Sequence, residues 1–338
     1  MPSITFIGAM SAKAFGFSQG VRPSTAIAVA HATTPFVTAY PWSTAGFGTK
    51  VADPASLPAT TGNSVDFTPS GSDVAIAAGL TIYAYPWTTS GFGTKYTNAS
   101  GISSARSVNF SPSGNTVLVA DGASPYIGAY PWAAGFGSKY ADPGTLPAGA
   151  GNAVTFSATG DVAFVATDST PYIEAYAWSA GFGSKFSDPA SLPFTAGACL
   201  AFSSSGDVAV GYSGSSRLNV YPWSSGFGSK YSDPATLPTG TVNGVAFGGG
   251  AIATAHGATP FTSVYPWAAG FGTKYANPAT LPASTGNAVA FSADGSAIAI
   301  AHNTTPRVSA YPWAAGFGTK FSDPATRPTG DGNGVAFN

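Results

Sequence analysis

Three histidines, one cysteine and one glutamate are the first residues to test for chemistry. His31, His256 and His302 could in principle ligate a metal, which needs nitrogens within about 2.0–2.1 Å of one ion. They occupy equivalent positions in three separate copies of a repeat, with no carboxylate beside them. Such positions diverge from one another, so a shared ion is not expected. Cys199 is alone, which rules out an internal disulfide framework. Glu174 is the sole glutamate and has no evident partner of the kind a two-carboxylate glycosidase requires. No Gly-x-Ser-x-Gly elbow, phosphate loop, cysteine pair or His-Glu-x-x-His motif is present. A metal held by acids would need several of them facing one point, and Asp66 and Asn109 are too few. The chain therefore reads as non-enzymatic, with no cofactor.

What remains is chemistry of recognition. Tyr126, Tyr172 and Arg307, with Phe36 and Phe261, each directly follow a proline in equivalent connections. Aromatic faces beside asparagine, histidine and aspartate side chains suit a carbohydrate, by stacking and by hydrogen bonds to hydroxyls. Departures from the repeat single out further candidates. Arg106 stands where five other copies carry asparagine and one Ala198, Asp121 where three carry histidine, and Tyr212 beside Gly211 where alanines recur. The candidate ligand-binding set is thus His31, Arg106, Asp121, Tyr126, Tyr172, Tyr212, His256, His302 and Arg307.

The elements that must position these residues are set by repetition. Aromatic-Pro-Trp (Ala-Trp in one copy), then Gly-Phe-Gly-Ser/Thr-Lys, recurs seven times. The tryptophans are Trp42, Trp87, Trp132, Trp178, Trp223, Trp267 and Trp313, spaced 44–46 residues apart. That period fits a four-stranded propeller blade. In the last copy, residues 287–292 and 297–302 predict two strands around the Asp294-Gly295 turn. Residues 307–311 predict a third strand stopping at Pro312, and residues 320–323 a short outer one. Small residues alternating with Val, Ile and Phe suit sheets stacked closely around an axis. The fold expected is an all-β, seven-bladed β-propeller of four-stranded antiparallel blades.

The final inner strand, residues 333–338, has no partner after it, and the strands of residues 25–53 lack an inner one. Joining them closes the ring and removes two sheet edges. A competing arrangement puts Ala12–Ser18 in that slot. Centring the first hairpin on its turn pairs Asn287 with His302, Asn243 with His256, Arg106 with Asp121, Asn152 with Thr167 and Asn333 with His31. The repeated lysines, three residues before Asp or Asn, are expected to make local contacts or shield the outer edge.

Val108–Gly114 (VNFSPSG) and Val289–Gly295 (VAFSADG) resemble the blade openings of WD40-like and lactonase-like seven-bladed propellers. The resemblance spans residues 21–338. Gly-Asn replaces Gly-His before the inner strand and Pro-Trp replaces Trp-Asp after the third, so the WD40 hydrogen-bonded tetrad is not carried over. It implies a single propeller domain over residues 21–338 and a binding-scaffold habit. Residues 1–20 fall outside the repeat and form an expected N-terminal docking arm, similar to segments beside propellers in phage tail proteins.

Only 8% of residues are charged and the net charge is −1, which offers no electrostatic footprint for nucleic acid. No apolar run is long enough to span a membrane. The N-terminus lacks a basic stretch ahead of its apolar residues, so no signal peptide is expected. The leading expectation is a monomeric, non-catalytic recognition or attachment module on a virion or outside a cell, whose partner is a surface receptor, a glycan or a structural protein. A multivalent lectin is the alternative, and a lactonase-like hydrolase comes last.

Overall fold

The computed structural model describes residues 24–338. Among them are seven antiparallel sheets of three or four strands and no helix. Blades 1 to 7 are built on the second strands Ala26–His31, Asp73–Ala78, Thr116–Asp121, Val162–Thr167, Asp207–Tyr212, Ala251–His256 and Ala297–His302. Each of these strands is buried along its whole length. The seven inner strands pack side by side in blade order and return to the first, so they line a central channel. Ring closure is as expected. Gly332–Phe337 is the inner strand of blade 1, with Val29 opposite Val335. Asn338 Oδ1 then accepts from the Thr25 and Ala26 amides at 2.8 and 2.9 Å. The slot is thus filled by the C-terminal strand, and the competing segment Ala12–Ser18 lies outside the described residues. The proposed arm at residues 1–20 lies outside the described residues.

Alternation of small and large side chains sets the packing between blades. Ala75, Ala77 and Ala84 of blade 2 lie against Val117, Val119, Tyr130 and Trp132 of blade 3. The repeated phrase supplies the outer half of this interface. Trp42 stands edge-on to Phe337 and Phe47 of its own blade and to Phe321 of blade 7, with centroids 5.0–5.3 Å apart. The same three-way contact recurs at Trp132 with Phe110, Phe136 and Tyr96 of blade 2. Edge-to-face aromatic contacts of this kind each add about 0.5–1.5 kcal/mol beyond burial. The tryptophans are thus glue between blades.

The outer strand differs from expectation. Its pairing lies earlier, at the Gly-Phe of the repeated phrase: Trp42 faces Phe47 and Trp87 faces Phe92. In blades 3, 5, 6 and 7 it shrinks to one bridge. Residues 50–53 contribute one ladder bond, from Val51 N–H to the Ala39 carbonyl. Nor does proline end every third strand, since Val37–Ser43 and Thr81–Thr88 run through Pro41 and Pro86. Proline's missing N–H costs little there because the outer strand is so short.

The inner hairpins hold the main surprise. Each carries a bulge one residue before the regular ladder resumes, so His302 faces Gly286, not Asn287. Likewise His31 faces Gly332, Asp121 faces Ala105, Thr167 faces Gly151 and His256 faces Val242. The extra residue is Asn63, Arg106, Asn152, Ala198, Asn243, Asn287 or Asn333. A bulge re-aims a side chain, and here it turns the whole ring toward the axis.

The glycine preceding it has its own cause. Phe36, following the cis peptide Thr34–Pro35, has φ 69° and turns its carbonyl toward blade 2. A Cβ on Gly62 would lie 2.3 Å from that oxygen. The same approach recurs at Gly151, Gly197, Gly286 and Gly332. The Gly-Asn pair is therefore a latch between blades. Asn63 Nδ2 donates to the Ala105 carbonyl, Asn152 to Gly197, Asn243 to Gly286, Asn287 to Gly332 and Asn333 to Gly62, at 2.8–3.0 Å.

Candidate functional site

Seven bulges aimed at one axis make a shallow bowl at the mouth of the channel. Its cavity is about 220 Å³, lined by Asn63, Arg106, Asn152, Asn243, Asn287 and Asn333, with Ala198 and Cys199 on blade 5. The five latch bonds each occupy an amide N–H, which leaves the carboxamide oxygens of Asn63, Asn243, Asn287 and Asn333 as acceptors around the rim. Arg106 breaks the pattern. Its Nη1 donates to Asn152 Oδ1 at 2.5 Å, and its exposed guanidinium is the one cationic group lining the bowl. The clefts at the opposite end lie between blades beside Trp42, Trp87 and Trp267 and are lined by serine, threonine and glycine turns; no cation lines them.

Of the nine candidate residues, Arg106 alone lines this bowl. Its expected partner is elsewhere: Asp121 accepts from the Ser103 and Ser104 amides, both at 2.8 Å, and from Ala123 at 3.0 Å. That accounts for two departures together, since Asp121 pins the irregular connection at residues 98–103. The bulge is the reason the Arg106–Asp121 pair does not form.

The histidines are core residues, each fully buried. His31 Nε2 bonds Thr38 Oγ1 at 2.9 Å, and His256 and His302 bond the hydroxyls of Ser263 and Ser309 at 3.0 Å. Their partners lie on the third strand, not on the inner strand expected. Burial drives all three imidazoles down to about 4, so they are neutral near pH 7. Tyr212 belongs to the same set. It occupies the histidine position of blade 5, facing Gly197, and the position aligned with the alanines is Gly211. Its hydroxyl donates to Asn219 Oδ1 at 2.8 Å. Gly211 makes room for Cys199 and Val242 rather than for the tyrosine, because a Cβ there would lie 2.5 Å from Cys199 Sγ.

Tyr126, Tyr172 and Arg307 sit half-buried on separate rim loops at φ 71–74°. They do not converge on one ligand, and Arg307 is ion-paired with Asp331. Glu174 is 1% exposed, accepting from the Ala148 amide at 2.7 Å with Lys185 Nζ 3.3 Å away. The repeated lysines pair locally with the residue three positions on, Lys50 with Asp53 and Lys95 with Asn98 among them. No group of three His, Cys, Asp or Glu side chains comes together among the described residues. Sequence reasoning missed the asparagine ring as a surface. The signal was present as Gly-Asn, but only the bulge reveals where it points.

No protein-family model matches the chain, and no curated protein matches it by sequence. Solved structures do match. A candidate 6-phosphogluconolactonase from Bacteroides uniformis superposes with a TM-score of 0.72 at 12% identity, over 94% of this chain and 100% of that one. One from Bacteroides fragilis gives 0.72 and 12%, over 95% and 99%. The periplasmic gluconolactonase of Pseudomonas aeruginosa gives 0.71 and 11%, over 92% and 98%. These similarities establish the propeller fold. They also correct the functional expectation. The similar proteins carry the names of enzymes, which counts against the non-catalytic attachment module, and the lectin behind it, expected from sequence.

Proposed function

We propose that the chain is a lactonase-like hydrolase that opens a sugar-derived lactone at the axial bowl. The observation that carries this reading is the composition of the mouth: a ring of asparagine amides interrupted by one guanidinium. A polyhydroxylated ring presents hydroxyls, which the free amide oxygens accept. Its cyclic ester presents one carbonyl, on which negative charge develops when water adds. Arg106 is the group in the bowl able to stabilise that charge, and it also complements the carboxylate of the product. The likeness to proteins described as 6-phosphogluconolactonase and gluconolactonase supports the reaction class. A WD40-type tetrad and a phage-tail setting are no part of the proposal.

The test is acid release in a pH-stat from gluconolactone and from 6-phosphogluconolactone, with and without added divalent cation. Hydrolysis above the spontaneous rate is expected with at least one of them. Arg106→Ala should raise KM or lower kcat/KM by roughly 10- to 100-fold, the worth of a charge-assisted hydrogen bond. No acceleration of either lactone under any of these conditions sinks the proposal.

A further inference from the structure

Below the bowl, the near-sevenfold repeat is broken on one side only. Three residues after the bulge, blades 5, 6, 7 and 1 carry Ala201, Ala246, Ala290 and Ala336. Blades 2, 3 and 4 carry Asp66, Asn109 and Thr155 at the same level, each half-buried. One residue after the bulge, Ser64 and Ser107 replace the Ala, Cys and Gly of the other blades. This polar wall lies directly beneath Asn63, Arg106 and Asn152. Two independent departures from the repeat, the mouth cation and the channel carboxyl, therefore fall in one sector.

We propose that Asp66 is the general base of the hydrolysis, activating a channel water against a lactone carbonyl held at the mouth. The inference rests on the lactonase reading above. Asp66 lies two residues along the strand from the mouth-lining Ser64, about 7 Å at the usual strand rise, which leaves room for a water between carboxylate and ester.

The carboxylate is held in one orientation. Its Oδ2 accepts from the Phe110 amide at 2.8 Å and from Asn109 Nδ2 at 3.1 Å, and its Oδ1 from the Phe67 amide at 3.0 Å. A carboxylate offers about four lone-pair sites, so one remains, on Oδ1, for a water. Asn109 acts as a positioning residue. Its own oxygen accepts from the Phe156 amide of blade 4 at 3.2 Å, which turns its N–H toward Asp66. Burial pushes the Asp66 carboxyl up to about 7, against the pull of these three hydrogen bonds. A base titrating there is matched to neutral pH. The other titratable groups on the seven inner strands are Arg106, above it, and Cys199, whose thiol burial pushes up to about 12.

Water oxygen bonds to the carbonyl carbon while Asp66 takes its proton, and the carbonyl electrons move to an oxyanion facing Arg106. Collapse of that intermediate breaks the ring C–O bond. The departing alkoxide takes the proton back from Asp66, giving the open hydroxy acid.

Steady-state kinetics of the full chain and of Asp66→Asn, from pH 5 to 8.5, provide the test. For the unaltered chain, kcat/KM is expected to rise with pH through a limb near 7. Asp66→Asn should lower kcat roughly 100- to 10,000-fold, the usual worth of a general base, with KM within about twofold and the limb gone. Melting temperature separates this from misfolding. A purely structural Asp66 would shift melting and leave the limb in place. A flat profile in the unaltered chain overturns the proposal even if the variant fails to fold, and so does a folded Asp66→Asn variant with kcat and limb intact. A chain that hydrolyses no lactone takes down this inference together with the reading beneath it, whereas an active chain insensitive at Asp66 takes down this inference alone.

Discussion

Asp121 is in none of the ion pairs among the described residues, yet it is 4% exposed and sits at the end of a strand. What holds it is backbone: three amides, from Ser103, Ser104 and Ala123, converge on its two oxygens. Hydrogen bonds to a charged acceptor contribute about 1.5–3 kcal/mol each, and deleting the acceptor leaves buried donors unpaired. Asp121→Ala is therefore expected to cost about 2–4 kcal/mol in urea denaturation. Because residues 103 and 104 lead directly into Arg106, it should also loosen the bowl. Asp121→Asn, which keeps an acceptor oxygen, should cost less than half as much. Equal losses from both variants would show that the carboxylate's second oxygen and charge are indispensable. The contrast with Arg106 is physical. One residue is spent on its own blade's loop, and the other, bonded to Asn152 Oδ1, stays exposed at the mouth.

At the scale of the element, one pair of positions explains all three buried histidines and their partners. The last residue of the second strand meets the second residue of the third: His31 with Thr38, His256 with Ser263, His302 with Ser309 and Tyr212 with Asn219. Each pair couples a ring to a short polar side chain. They should exchange as units and not singly. Transplanting the blade 5 pair into blade 7, as His302→Tyr with Ser309→Asn, is expected to cost less than the two single substitutions summed, because the tyrosine–asparagine hydrogen bond is kept. His302→Tyr alone overfills the site and should cost about 1–3 kcal/mol. Additive behaviour in the double-mutant cycle would refute the pairing. These pairs also mark what the sequence disclosed. Blade number, ring closure and the alternation of small and large residues were legible because each is a period or a terminus. The register was not. A β-bulge leaves no composition cue beyond Gly-Asn, and the glycine is required by the Phe36 carbonyl of a neighbouring blade, 26 residues before Gly62 in the chain. Miscounting by that one residue paired Arg106 with Asp121 and hid the asparagine ring.

For the whole molecule, the three histidines lie in blades 6, 7 and 1, a continuous sector that contains the seam closed by Gly332–Phe337. Each imidazole is held near 4 in the fold against about 6.5 when exposed, chiefly by burial. In that window the unfolded chain binds more protons than the native one, so the stability these groups support is present above pH 6.5 and is lost as pH falls toward 4. The loss is about 2–3 kcal/mol per histidine at pH 4. Asp66 acts in the opposite sense. Its folded value, about 7, exceeds that of a free carboxyl, so its contribution declines as pH rises through the same window. The net curve is therefore shallower than three histidines alone would give, and the histidine share is read as a difference. Urea denaturation of the unaltered chain and of the His302→Tyr, Ser309→Asn double variant should be compared from pH 7.5 to 4. The double variant, with one imidazole fewer, should lose about 2–3 kcal/mol less over that range. Native-state hydrogen exchange at pH 4.5 should show earliest opening in the second strands of blades 6, 7 and 1, where uncompensated protonation is concentrated and where the ring is joined without a covalent link. Uniform opening around all seven blades would mean that the closed ring distributes the strain, and that the seam is no weaker than the interfaces formed by continuous chain.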